Sequence, residues 1–180
     1  MTTQDVSTTD GARDERLAER RARLVETDPQ FRDAAPDPDL AERVLASDLP
    51  LAQVIEEILT TYADRPALGR RVTEVVTGDD GAATVRLRDE FETVSYRELG
   101  ERVRAVAAAW ASDGLQAGEL VASLGFTSVD YTTLDLACIH LGLVTVPLQT
   151  SSAPAQLLPI LTETAPTCLL YTSPSPRDLS

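Results

Sequence analysis

Residues 119–149 read ELVASLGFTSVDYTTLDLACIHLGLVTVPLQ, and this stretch alone is sufficient to predict a fold class. A short apolar run from Leu120 to Leu124, closed by Gly125, is typical of a buried strand. A helical pattern of roughly a dozen residues follows. Its apolar face is predicted to consist of Val129, Thr133, Leu136, Ala137 and Leu141.

The second half of this stretch returns as a strand. Gly142 is placed to end the helix, and a second apolar run from Leu143 to Val146 is stopped by Pro147. Strand, helix and strand within about thirty residues is the minimum for a parallel crossover unit. Because neither strand alternates polar and apolar residues, we expect a sheet covered on both faces. The sequence therefore predicts an α/β fold built around a parallel sheet.

Length, charge and composition limit the class of protein. The 180 residues suffice for one domain with a real core, and the net charge of −13 argues against non-specific binding to nucleic acid or anionic membrane. All 16 basic residues are arginine, so no lysine is available to bind phosphate or form a Schiff base. The first twenty residues carry no secretory signal, and no run approaches the ~18 apolar residues of a membrane span. We therefore expect a cytoplasmic protein.

The N-terminal segment is predicted to be a charged arm without chemistry of its own. Residues 1–12 are rich in Thr, Ser and Asp, which predicts disorder. From Arg13 to Glu26 the pattern is helical and highly charged with a thin apolar stripe, as expected for a solvated helix. After a proline-rich loop, Pro38 is placed to begin a short helix ending near Leu45. We define residues 13–48 as a helical leader.

A core helix and a hairpin are predicted next. Asp48 is a candidate N-cap and Pro50 a first-turn residue for a helix with regularly spaced apolar side chains. Residues 70–76 and 83–87 flank a turn rich in Gly and Asp and are expected to pair as a hairpin. Residues 91–94 form a further extended piece. Because it interrupts the alternation of helices and strands, we interpret the hairpin as a decoration of the α/β fold.

The clearest local signal is a capping box from Ser95 to Glu98, in which each side chain can bond to the other residue's amide. Gly114 is placed at the C′ position, immediately after the end of the helix, where glycine is common. Further along, Pro154 is placed to begin another helix, and residues 167–171 predict a last strand.

Few residues are candidates for chemistry. His140, the only histidine, has no second metal-type ligand four residues away, and we expect it to lie at the helix end, either facing solvent or hydrogen-bonded. Cys138 lies among apolar neighbours and is expected to be a small buried hydrophobe rather than a nucleophile. Asp130 and Asp135 are five residues apart, which does not make a paired acid–base site, and no glycine-rich phosphate loop is present. We therefore predict no catalytic, cofactor-binding or metal-binding residue in this chain.

Three segments carry a resemblance to a known family. The run Val94–Leu99, VSYREL, resembles the first core motif of the adenylate-forming enzymes. The run Leu141–Leu148, LGLVTVPL, is similar to their second motif, and Asp64–Leu68, DRPAL, resembles a phrase commonly found upstream. In this order and spacing, the three segments identify about residues 51–167 with the N-terminal part of the large subdomain of that family.

A narrower resemblance is to the bacterial carboxylic acid reductases. It rests on Leu124–Tyr131, LGFTSVDY, on Val146–Ser151, VPLQTS, and on leader residues 15–17 and 27–31. The resemblance implies an enzyme that activates a fatty or aromatic carboxylic acid with ATP and Mg²⁺ to an acyl-adenylate. It further implies capture of the acyl group as a thioester on phosphopantetheine and reduction by NADPH to the aldehyde.

This resemblance predicts an inactive piece of such an enzyme that binds none of these cofactors, because the family's ATP loop and other functional residues belong further along. We therefore expect residues 49–167 to be a partial adenylation domain. Two alternatives are a long-chain fatty-acyl-CoA ligase, which passes the acyl group to free CoA, and a non-catalytic α/β binding module. Residues 168–178 resemble the translation of a sequencing adapter, so we expect residues 168–180 to be a non-native tail.

Overall fold

The computed structural model describes residues 7–46, 48–78 and 81–171, the first four of these by their backbone alone. The chain forms two compact units, residues 1–47 and 48–180. The first unit is helical, with helices α1 (Ser7–Thr27), α2 (Pro29–Ala34) and α3 (Pro38–Ala46). Helix α1 begins earlier than predicted, so residues 7–12, for which disorder was expected, are helical, while residues 1–6 lie outside the described residues.

Helix α2 was missed because its Asp-Pro pair was interpreted as part of a loop. Asp28 is extended, and its carboxylate accepts hydrogen bonds from the amides of Gln30 and Phe31 at 3.0 and 3.1 Å. Pro29 then occupies the first turn, where its missing N–H costs nothing. An acidic N-cap followed by proline was therefore a start signal.

The second unit begins with helix α4 (Leu51–Thr61). The predicted cap at Asp48 is wrong: Pro50 is the N-cap residue and no side chain caps the helix. The described strands and helices that follow are β1 (Pro66–Thr77), β2 (Ala83–Ser95), α5 (Tyr96–Ser112), β3 (Leu120–Leu124), α6 (Val129–Leu141), β4 (Val144–Leu148), α7 (Pro154–Thr164) and β5 (Cys168–Tyr171).

Strands β1 and β2 form an antiparallel hairpin that is longer than the sequence indicated. Its register runs from Pro66 opposite Ser95 to Thr77 opposite Ala83, with an irregularity between Arg71 and Thr73. The two extended pieces predicted at 83–87 and 91–94 are one strand, because pairing with β1 continues across the charged residues between them.

Strands β3, β4 and β5 form a parallel sheet in the order β4-β3-β5. This confirms the predicted crossover, and Gly142 ends α6 in the left-handed conformation with φ 70°. The predicted stop at Pro147 is wrong, because Pro147 lies inside β4 opposite Ser123. Proline is tolerated there because β4 has β3 as its partner on one side only among the described strands.

The core has two clusters, one between helices α4, α5 and α6 at the base of the hairpin and one between β3 and α6. Side chains of adjacent strand residues point to opposite faces, and Val121 and Ala122 are both fully buried, so β3 is covered on both sides. Helix α6 contributes to two clusters, with Ala137 in the one around Leu99 and Val103 and Cys138 in the one around Val121. The single apolar face predicted for α6 was therefore too narrow.

Candidate functional site

Two of the sequence motifs meet at one point, which we call the tyrosine junction and define as Tyr62, Asp64, Arg65, Tyr96 and Arg97. The amide of Tyr96 donates to the Arg65 carbonyl at 3.0 Å, and the amide of Arg97 donates to the Ala63 carbonyl at 2.9 Å. The Arg97 guanidinium lies 2.7 Å from the Asp64 carboxylate, and this hydrogen bond raises the pKa of Arg97. The junction therefore joins both ends of the hairpin.

Aromatic contacts complete the junction. The rings of Tyr62 and Tyr96 are 5.7 Å apart at 50°, and the Arg65 guanidinium lies 4.6 Å from the Tyr62 ring centroid. Beside it, Ser95 caps α5 in the predicted manner, accepting from the Glu98 amide at 3.2 Å while the Ser95 amide donates to the Glu98 carboxylate at 2.8 Å. The Ser95 hydroxyl also donates to the Glu98 carboxylate at 2.9 Å, a contact within the same capping box. These motifs thus position the backbone at the start of α5.

A cleft of about 490 Å³ opens between the base of the hairpin, helix α5 and the start of α6. Its lining includes two arginines, two carboxylates and several hydroxyl groups. These residues are Leu68, Gly69, Arg70, Glu92, Thr93, Val94, Arg102, Thr127, Ser128, Val129, Asp130 and Thr132. The sequence did not reveal the cleft, because its walls come from segments far apart in the chain, and no local signal connects Arg102 with Thr127.

Opposite charges largely neutralise each other in the cleft. The Arg70 guanidinium lies 2.6 Å from the Glu92 carboxylate, and this hydrogen bond, with a smaller contribution from Asp130, raises the pKa of Arg70. The Ser128 hydroxyl accepts from the Tyr131 amide at 3.1 Å and so caps α6 beside the cleft. This mixed lining suits a small polar group better than a triphosphate, because Glu92 and Asp130 repel a polyanion.

The carboxyl ends of the three parallel strands lie at one edge of the sheet, the place where open α/β sheets usually bind ligands. Near this edge, the Ser123 hydroxyl and the Tyr131 hydroxyl are 3.5 Å apart. Ser123 is buried, and Thr133 on the adjoining helix donates its hydroxyl to the Val129 carbonyl at 2.8 Å. These polar groups are hydrogen-bonded to each other or to the backbone, which is the arrangement expected of groups that stabilise the fold.

The residues weighed for chemistry are dispersed. His140 is exposed in the last turn of α6, as predicted, and Cys138 is buried, where desolvation raises the pKa of its thiol to about 11. Asp130 lines the cleft, whereas Asp135 lies near Cys138 and contributes to that raised pKa. Within residues 7–46, 48–78 and 81–171, no group of three or more His, Cys, Asp or Glu side chains could hold a metal ion. No helix in this described part has the length and apolarity that a membrane span requires.

Comparison with known proteins gives a consistent result. The family model described as AMP-binding enzyme matches residues 60–179. A carboxylic acid reductase of Segniliparus rugosus is 50% identical over 154 residues, which cover 83% of this chain and 13% of the relative. One from Mycobacterium tuberculosis is 44% identical over 158 residues, 87% of this chain and 14% of the relative. The chain thus spans about one seventh of the length of these curated relatives.

Solved structures agree with these relatives. The adenylation domain of the Segniliparus rugosus reductase, in complex with AMP and a co-purified carboxylic acid, is 48% identical with a TM-score of 0.75. The match covers 86% of this chain and 25% of that one. The adenylation domain of a carboxylate reductase from Mycobacterium chelonae is 44% identical with a TM-score of 0.73, over 94% of this chain and 26% of that one.

Proposed function

The chain belongs to the AMP-binding enzyme family and is homologous to the adenylation domains of carboxylic acid reductases, and from this premise we propose that it forms the N-terminal part of such a domain. The observation that carries the proposal is the match to the Segniliparus rugosus adenylation domain, at nearly half identity over most of the chain. The tyrosine junction supports it, because the two motifs that resemble the family are the ones that interlock.

In the proposed enzyme, ATP activates a small carboxylic acid, fatty or aromatic, as an acyl-adenylate with pyrophosphate as the leaving group. A phosphopantetheine thiol then displaces AMP to form a thioester, and NADPH reduces the thioester to the aldehyde and releases the thiol. ATP, NADPH and the carrier group belong to the cytoplasm, where we place the enzyme.

The described residues do not by themselves fit ATP, because Arg70 is engaged by Glu92 and the second carboxylate, Asp130, repels a polyphosphate. For Mg²⁺, the described residues supply no group of three or more His, Cys, Asp or Glu side chains that could hold a metal ion. We therefore assign this chain a supporting role, in which the tyrosine junction and the parallel sheet hold the part of the domain that precedes the nucleotide site. The isolated 180-residue chain should neither bind ATP tightly nor activate acids.

A chimera, which we call the joined enzyme, tests this assignment. In it, residues 1–167 of this chain replace the matching N-terminal part of the Segniliparus rugosus reductase. Acid-dependent pyrophosphate exchange and acid-dependent NADPH oxidation are then measured. We expect both activities in the joined enzyme and only background exchange in the 180-residue chain. The matched control is the same replacement in a fatty-acyl-CoA ligase, which should be inactive. A folded joined enzyme without exchange, or a functional ligase graft, would contradict the proposal.

The C-terminal tail remains a separate proposal. Residues 168–171 form β5 beside β3, residues 172–180 lie outside the described residues, and the family match extends to residue 179. A short apolar run such as Cys168–Tyr171 has the composition to pair beside a buried strand whatever its origin. Sequencing the source DNA across codon 168 tests the adapter origin. We expect a different continuation leading to carrier and reductase domains, and intact codons for residues 168–178 would exclude it.

A further inference from the structure

We draw no further inference here: the strongest candidate, the cleft between the base of the hairpin, α5 and the start of α6, belongs to the site already described, and nothing among the described residues shows which ligand would enter it.

Discussion

The crossover region and the hairpin contain similar apolar residues, but these side chains are buried in the crossover and exposed in the hairpin. In the crossover, Val121 on β3 and Ala137 on α6 are completely buried, whereas Val75 and Val85 of the hairpin are 71% and 62% exposed. Valine in the hairpin serves backbone preference and cross-strand contact, which contribute little. Valine in the crossover removes apolar surface from water, which contributes much more. Residue type alone therefore does not reveal where stability resides.

Denaturant unfolding of this chain, followed by the fluorescence of one side chain, can compare what the crossover core and the hairpin each contribute to stability. Trp110 is the only tryptophan, and it packs against both core clusters. Its fluorescence therefore reports loss of the crossover core, and the free energies of unfolding below refer to that transition.

The largest expected effect comes from truncating Leu99, which belongs to the buried cluster that includes Ala137 of the crossover helix α6, and the matched control is an exposed leucine of the hairpin. Leu99→Ala on α5 removes a side chain that is only 3% exposed and should lower the free energy of unfolding by about 2–5 kcal/mol. Leu87→Ala in the hairpin, where the side chain is 60% exposed, should change it by less than about 0.5 kcal/mol. Similar losses for both variants would show that the hairpin is covered in solution.

A pair of glycines provides the next contrast. Gly142 at the end of α6 and Gly81 in the hairpin both have positive φ, 70° and 78°, so alanine is strained at either position by about 1–2 kcal/mol. At Gly142 a new Cβ would also lie 3.3 Å from the Ala117 Cβ, whereas nothing lies within 4 Å at Gly81. Gly142→Ala should therefore be the more destabilising in the same denaturant titration, and the reverse order would contradict the packing described for α6.

Removing the cap of α5 should have a smaller effect. Ser95→Ala is expected to lower the free energy of unfolding by about 1 kcal/mol, because the Glu98 amide loses its acceptor. In the joined enzyme it should leave the affinity for the acid unchanged, and altered affinity without lost stability would indicate a direct role at the site.

The capping box also predicts a pH dependence. The pKa of Glu98 is lowered from its ordinary value of 4.5, first by the hydrogen bond from the Ser95 amide and then by that from its hydroxyl. A lowered folded-state pKa contributes stability above pH 4.5 that is lost as pH falls through the lowered value. Unfolding titrations of parent and Glu98→Gln should therefore converge at acid pH, and a constant difference across this range would refute the assignment.

The smallest expected effect is the coupling free energy between the two residues of the hairpin ion pair. Arg70 and Glu92 lie on opposite strands with both side chains largely exposed, so a double-mutant cycle to alanine should give a coupling of about 0.2–1 kcal/mol. Coupling well above that range would mean that the cleft is less hydrated than its open shape implies.

Local signals were sufficient for the crossover and for the capped helix. β3 was predicted with its observed bounds, and the Ser95 box and the stop at Gly142 follow from contacts within a few residues. The errors come from partners distant in sequence. The continuity of β2 depends on β1, and Pro147 extends β4 because β3 supplies the neighbouring strand.

The cleft could not be predicted because all of its walls depend on partners that are distant in sequence. Arg70 lies on β1, Arg102 on α5 and Thr127 in the loop before α6, each more than twenty residues from the next, and only the packing of the hairpin base against α5 and α6 brings them together. The tyrosine junction was partly predictable from the sequence. Its two motifs were found separately, but nothing local indicated that Asp64 pairs with Arg97.

The tyrosine junction also makes the hairpin a useful attachment point for engineering. Because the junction closes the chain at the hairpin base, the distal turn between Gly78 and Gly81 can change in length without moving the ends. Doubling the length of a flexible loop costs only about 0.6 kcal/mol of closure entropy. A fluorescent protein or affinity tag inserted there should leave the crossover core and the cleft of this chain intact.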